Sequence, residues 1–396
     1  MRIYHIFIDR FSTGNKSLDI KLSGKTGKDW LGGNLVGVSK KLEYIKSLGF
    51  NAIWLSPIFK SSAYHGYHVT DFFEIDPHFG SKKIFEDLVK RAHSLGLKVI
   101  LDFIPNHLSK FHPFFKKAQR SKTSEYYNWF IFKEWPNDYL CFLHFKEIPK
   151  INLENPDARN YILEATEYWI KNFSIDGYRI DHVIGPPFNF WKDFVKVCKN
   201  LSKDFLLLPE IWYMGVKRED LESIWFVKEK KEWKESLKKL LEERREGDVW
   251  IWEEDSRNTL AEEWTMEIFE KYFNNFLDFS SNFKLRTFAK KKEIKDVKFK
   301  KENFHFLDNH DMQRIMWILK SDEKLFFELL NLLARVENFI VYYGTEIGVS
   351  QVKDFFDYEF YGDLEARRFM EWDKFKERKK FVEKFKEALE ENGKVK

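Results

Sequence analysis

Apolar residues along this chain recur with two alternating periods. Runs with period two, or with no polar break, read as strands, and runs with apolar residues three and four apart read as helices. Residues 2–8 make the first strand. Residues 37–48 make a helix through Val38, Leu42, Ile45 and Leu48, which Gly49 ends. Ala52-Ile-Trp-Leu-Ser-Pro57 is a second, buried strand, 82–95 a helix closed by Gly96, and 98–103 a third strand leading into Pro105-Asn106-His107. At Asn155-Pro156 an N-cap and a first-turn proline open a helix whose apolar face is Ile162, Ala165, Trp169 and Ile170. Ser174-Ile-Asp-Gly-Tyr-Arg-Ile-Asp-His182 gives strand four, 190–201 a helix, and 205–208 strand five, ending at Pro209-Glu210. Strands six to eight fall at 276–279, 304–307 and 339–343, and a Lys/Glu-rich helix closes the chain over about 373–391.

Eight strands, each followed by a helix, indicate an α/β protein built as a (β/α)8 TIM barrel, with its chemistry at the strands' C-terminal ends. An open doubly wound sheet would want a Gly-rich phosphate loop after strand one, and Asp9-Arg10-Phe11 stands there instead. Two stretches break the beat. Residues 108–147, after strand three, are aromatic and Lys-rich without a clear period. Residues 213–264, after strand five, centre on a charged helix at 228–247. The expected organisation is therefore barrel over 1–107, an inserted domain over 108–147, barrel over 148–212, a helical insertion over 213–264, and the rest of the barrel over 265–396.

Composition narrows the function classes. Over 396 residues, 67 basic side chains against 63 acidic ones leave a net charge of +4, too balanced for a nucleic-acid-binding face by count. Cys141 and Cys198 have no metal-type spacing and read as buried thiols of a reducing compartment. No run approaches membrane-spanning length and the N-terminus reaches charge too early for a signal peptide, so a cytoplasmic protein without membrane contact is expected. Charged residues at 33% with only three Gln resemble a thermophile's usage, although a low-GC genome would also enrich Lys.

The polar residues gather at strand ends: Asn106 and His107 after strand three, Asp181 on four, Glu210 after five, and His310 and Asp311 after seven. Arg179 and Asp181, two residues apart on one strand, face the same side. A guanidinium there is expected to depress the Asp181 pKa and keep it ionised, either for nucleophilic work or as a structural ion pair. Glu210 follows Leu206-Leu-Leu-Pro209, an apolar approach that favours its protonated form. One ionised and one protonated carboxyl, with Asp311 as a third acid, are what glycoside cleavage with retention requires. His107 and His310 can donate to sugar hydroxyls. Asp102, His107, Asp181 and His310 could instead ligate a metal, although none forms a compact ligand motif.

Four segments carry a resemblance to glycoside hydrolase family 13, the α-amylase family. They are Asp102-Phe-Ile-Pro-Asn-His107, Gly177-Tyr-Arg-Ile-Asp181, Pro209-Glu-Ile-Trp212 and Phe306-Leu-Asp-Asn-His-Asp311. Weaker echoes are Ile6-Phe-Ile-Asp-Arg-Phe11, Ile53-Trp-Leu-Ser-Pro-Ile58, Tyr64-His-Gly-Tyr67, Tyr342-Tyr-Gly-Thr-Glu-Ile347 and Arg367-Arg368. The resemblance implies Asp181 as nucleophile, Glu210 as acid/base and Asp311 as transition-state stabiliser. It also implies that His107, Arg179 and His310 line the subsite of the cleaved bond, that Tyr67 stacks on its sugar, and that Asp102 and Asn106 give structural support. Residues 108–147 correspond to the domain which the family inserts after strand three. The implied substrate is an oligo- or polysaccharide α-glucan cleaved at α-1,4 bonds, with no cofactor required and a structural calcium near Asn106 as an option without a full ligand set. A 4-α-glucanotransferase would share the first half of the reaction, a non-catalytic glucan-binding relative would lose the acids, all three of which are present here, and oligomeric state is left open.

Departures stand beside the resemblance. Ile148-Pro-Lys-Ile-Asn152 is similar to the Met-Pro-Lys-Leu-Asn segment of neopullulanases and cyclomaltodextrinases, whose extra N-terminal domain is expected to be absent here. Ile184-Gly185 stands where those enzymes have Asn-Glu and many α-amylases Lys-His, so the usual acceptor-side contacts are missing. The family's C-terminal β-sandwich is expected to be absent, since about 23 residues follow Asp373.

Overall fold

The computed structural model describes residues 1–183, 185–210, 281–282, 304–354 and 363–392. Eight parallel strands form one curled sheet: β1 (Arg2–Ile6), β2 (Ala52–Leu55), β3 (Lys98–Phe103), β4 (Gly177–Ile180), β5 (Leu206–Pro209), β6 (Ser281–Asn282), β7 (Phe304–His305) and β8 (Phe339–Tyr342). Their order is β5-β4-β3-β2-β1-β8-β7-β6, so each strand lies beside its neighbours in the chain and β1 pairs with β8. That is the winding of a (β/α)8 barrel, with β5 and β6 as the ends of the run among the described residues.

Alternation along each strand sorts residues between two cores. Ile3, Ala52, Trp54, Ile100, Leu208, Phe304 and Ile340 pack together inside the barrel. Tyr4, Ile6, Ile53, Leu55, Val99, Leu101, Tyr178, Ile180, Leu207 and Val341 join the outer core under the helices. The same parity continues upward on the inner row, from Ile100 to Asp102, from Gly177 to Arg179 and Asp181, and from Leu206 through Leu208 to Glu210. Gly177 is required for closeness: a Cβ there would stand 2.7 Å from the Leu206 backbone oxygen on β5. The helices that cover the sheet include α1 (Leu35–Ser47), α2 (Lys82–Ser94), α3 (Pro156–Phe173), α4 (Phe188–Leu201), α5 (Glu323–Ala334) and α6 (Lys379–Asn392). Asn155 caps α3, its Oδ1 accepting from Asp157 and Ala158, and Ser174 ends it in a left-handed turn (φ 54°).

Several boundaries differ from the sequence reading. β1 stops at Ile6 and Ile8–Phe11 becomes one helical turn, because the buried Asp9 carboxylate accepts the Leu31 and Gly32 amides and turns the chain there. A helix at Lys16–Leu22, capped by Asn15, lies where only loop is expected. The last helix begins at Lys379 rather than near 373. Ahead of it, Trp372 and Phe375 pack on Tyr44 at ring distances of 5.7 and 5.2 Å. The stretch 108–147 contains a helix at Pro113–Arg120 and strands Phe132–Glu134, Asp138–Tyr139 and Cys141–Phe142, the last paired with Phe145–Pro149. The expected strand at 276–279, the insertion at 213–264 with its helix at 228–247, and Ile184 lie outside the described residues. The sixth strand of the sheet is Ser281–Asn282.

Candidate active site

One guanidinium organises the barrel mouth. Register pairs Arg179 on β4 with Asp102 on β3 and with Leu208 on β5, two residues before Glu210. Arg179 Nη1 donates to Asp102 at 2.8 Å and to Asp181 at 2.9 Å, while Nη2 bonds Glu210. Asp181 and Glu210 are thus held on adjacent nitrogens of a single cation. Backbone bonds continue the strands past their ends: the Asp181 amide donates to the Phe103 carbonyl, and the Glu210 amide to the Ile180 carbonyl. His182, at φ 46°, turns its own N–H onto Glu210 Oε2 at 3.0 Å.

Asp102 ties this cluster to the opposite side of the mouth. It accepts from the Tyr67 hydroxyl at 2.9 Å and from Trp54 Nε1 at 3.2 Å. The Tyr67 hydroxyl also lies 2.7 Å from His310 Nε2, and the two rings stack, 5.5 Å apart and 5° from parallel. His310 Nε2 reaches Asp311 at 2.9 Å, and Arg367 Nη2 donates to the other Asp311 oxygen at 2.7 Å. His107 forms no hydrogen bond to these carboxylates: its Nε2 has no partner among the described residues and its Nδ1 lies 3.3 Å from the Asn106 amide nitrogen. It is buried at the loop after β3, with Phe142 5.1 Å from its ring and with Asn106 beside it.

The electrostatics correct one expectation. Arg179 does lower the Asp181 pKa, but burial outweighs it, and the neighbouring Asp102 and Asp311 charges add to burial. The Asp181 carboxyl is therefore pushed up to about 7 rather than depressed. Burial likewise raises Glu210, to about 8, against Arg179 and with the Asp181 and Asp311 charges adding to it. Asp102, buried against Arg179 and Tyr67, stands at about 6. Asp311 goes the other way: burial would raise it, but His310 and Arg367 together hold it well below the usual carboxylate range. Asp181 and Glu210 are therefore both pushed toward holding a proton near neutral pH, so the mouth can keep one proton beside a second carboxyl. A proton donor next to a carboxylate is what a two-carboxyl displacement at a sugar carbon needs.

The donors that could have held a catalytic metal are engaged elsewhere. Asp102 and Asp181 bind Arg179, and His310 binds Tyr67 and Asp311. Among the described residues no three His, Cys, Asp or Glu side chains are grouped to hold an ion. The candidate calcium site at Asn106 does not fit either, because Asn106 Oδ1 accepts from the Lys150 ammonium at 3.1 Å. Two contributors carried no assigned role in the sequence reading. Arg367 showed only as one of a pair of arginines, and Trp54 only as part of a buried strand.

Comparison with known proteins places the chain. Alpha-amylase 2 of Dictyoglomus thermophilum is 37% identical over 393 residues, which is 98% of this chain and 62% of that protein. The intracellular maltogenic amylase of Bacillus subtilis is 30% identical over 366 residues, 89% of this chain and 56% of that protein. The chain thus spans roughly three fifths of the length of these curated relatives. The crystal structure of an alpha-amylase from Geobacillus thermoleovorans complexed with acarbose superposes with a TM-score of 0.65 at 28% identity, over 99% of this chain and 78% of that one. Residues 5–394 match the model of the alpha-amylase catalytic domain, and the chain belongs to that family.

Proposed function

We propose that this protein is a retaining glycoside hydrolase acting on α-1,4 bonds of maltodextrins and related α-glucans. The observation that carries the reading is the pair Asp181 and Glu210 on one guanidinium at adjacent strand ends. Glu210 gives its proton to the glycosidic oxygen as the bond from that oxygen to C1 breaks, and an Asp181 oxygen bonds to C1 from the opposite face. Water then attacks C1 of the glucosyl ester, losing a proton to Glu210 and releasing Asp181. Asp311, kept ionised by His310 and Arg367, stabilises positive charge at the ring and accepts from sugar hydroxyls. Tyr67 and His107 complete the wall of that subsite, with Asp102 and Asn106 holding Arg179 and the loop after β3 in place.

Support comes from the acarbose complex of the Geobacillus protein and from the names of the relatives, alpha-amylase and maltogenic amylase. In this reading 108–147 and 213–264 are insertions into the barrel, and the protein works in the cytoplasm, as the name of the intracellular Bacillus relative suggests. No helix among the described residues is long and apolar enough to cross a membrane. The test is the anomer first released from a linear maltodextrin, read by proton NMR. The α-anomer is expected, and early accumulation of the β-anomer would overturn the mechanism. With maltotriose, glucose and maltose as the only products mark a hydrolase, whereas longer chains mark the transferase reading, in which a sugar hydroxyl replaces the water.

A further inference from the structure

Lys150 sits where a cation would. It is 6% exposed, and its Nζ donates to Asn106 Oδ1 at 3.1 Å and to the Gly185 carbonyl at 2.6 Å. A side-chain amide oxygen and a backbone carbonyl are the donor types that a hard divalent ion takes, at about 2.3–2.6 Å for calcium. An ammonium on those oxygens excludes such an ion by both volume and charge. The lysine is not free to swing away. Its amide donates to the Leu140 carbonyl, residue 150 bridges to His107, and Ile151 N donates to Asn106 O at 2.9 Å. Gly185 is shaped to the same seat, since a Cβ there would lie 2.1 Å from Asn106 Oδ1. Its amide donates to the His182 carbonyl, closing the turn after Asp181, and it is the His182 amide that holds Glu210.

We propose that the Lys150 ammonium is a resident cation in the place of a divalent metal, joining the Asn106-His107 loop to the turn after Asp181. It is a positioning residue for Asp181 and Glu210, and only this last link rests on the function proposed above. Its charge also adds to burial in keeping His107 and His182 neutral.

Thermal unfolding in millimolar calcium against EDTA tests the seat without reference to turnover. Wild-type Tm should be the same in both within about 1 °C, and a calcium-dependent rise of more than about 3 °C would overturn the proposal. Lys150→Asp places a carboxylate beside the same two oxygens. It should lose about 5 °C in EDTA and regain much of it in calcium, and no calcium response in this variant also counts against the seat. Lys150→Met should be calcium-indifferent and, well below its own Tm, should lose about tenfold in kcat with KM little changed. Lys150→Arg should recover part of that loss. Wild-type Tm and kcat in Lys150→Met would refute the positioning role. If Lys150→Met does not fold, Lys150→Arg and the wild-type calcium comparison still decide. Should the assigned chemistry fail, the calcium responses stand on their own.

Discussion

The two sides of the barrel mouth hold the same residue type under opposite charge balances. On the β3–β5 side, Asp102, Asp181 and Glu210 share one cation, Arg179; Asp102, Asp181 and Arg179 are buried, and the Glu210 side chain is 15% exposed. On the β7–β8 side, Asp311 alone has His310 and Arg367, and its side chain is 31% exposed. One cation cannot offset the desolvation of three carboxyls, so that side retains protons toward neutral pH. Two partners and some water more than offset it for one carboxyl, so Asp311 stays an anion. In the proposed mechanism, proton transfer and charge stabilisation thus fall on different sides of the mouth, set by the number of cations per acid.

The largest expected effect comes from removing the proposed nucleophile on the crowded side. Asp181→Asn should lower kcat by about 10⁴-fold or more while leaving affinity for a maltodextrin within a few-fold. Initial rates paired with calorimetric binding would check it, and wild-type turnover in Asp181→Asn would break the assignment. Next is the shared cation itself. Arg179→Met removes the one cation that three desolvated carboxyls share, so unfolding in urea should show a loss of about 3–5 kcal/mol.

The protons held by the crowded side come third. A carboxyl whose folded pKa is raised contributes stability that is fully present below its unfolded pKa and is lost as pH rises through the folded value. With Asp102 at about 6, Asp181 at about 7 and Glu210 at about 8, these groups make stability decline between roughly pH 4 and 8. Each contributes at most about 1.4 kcal/mol per pH unit. Urea titrations from pH 5 to 8 should show that decline, and Glu210→Gln should flatten it by one proton's share. A slope unchanged in Glu210→Gln would mean that Glu210 folds as an anion.

How much of this was legible in the sequence follows from the range of each interaction. The inner row of the barrel is a parity pattern, so Asp102, Arg179, Asp181 and Glu210 could be placed on one surface from alternation and strand ends alone. The helix at 16–22 was not legible by period, because Leu18, Ile20 and Leu22 alternate like a strand. The end of β1 depends on Asp9 binding the amides of Leu31 and Gly32, a contact that no local pattern encodes. The Asp181 pKa fails for the same reason. The nearest permanent charge in sequence is the Arg179 cation, but the charges acting on Asp181 in space include two more acids, Asp102 and Asp311. Arg367 is 56 residues from the carboxylate that it binds, with no periodic signal linking them.

The smallest expected effect lies on the sparse side, and it tests whether the two sides act independently. Arg367→Gln removes one of the two partners of Asp311 but leaves His310 Nε2 at 2.9 Å. The lost pair is partly exposed, so stability should fall by only about 1 kcal/mol. Asp311 should remain ionised near neutral pH, because His310 alone still favours the anion. Its charge at Asp181 and Glu210 is then unchanged, and the two limbs of the pH dependence of kcat/KM, expected near 7 and 8 for the free enzyme as properties of the pair, should stay in place. Movement of both limbs by more than about half a pH unit would mean that Arg367 reaches across the mouth to the crowded side, and the division by local cation count would then be replaced by a single network of four carboxyls and two arginines.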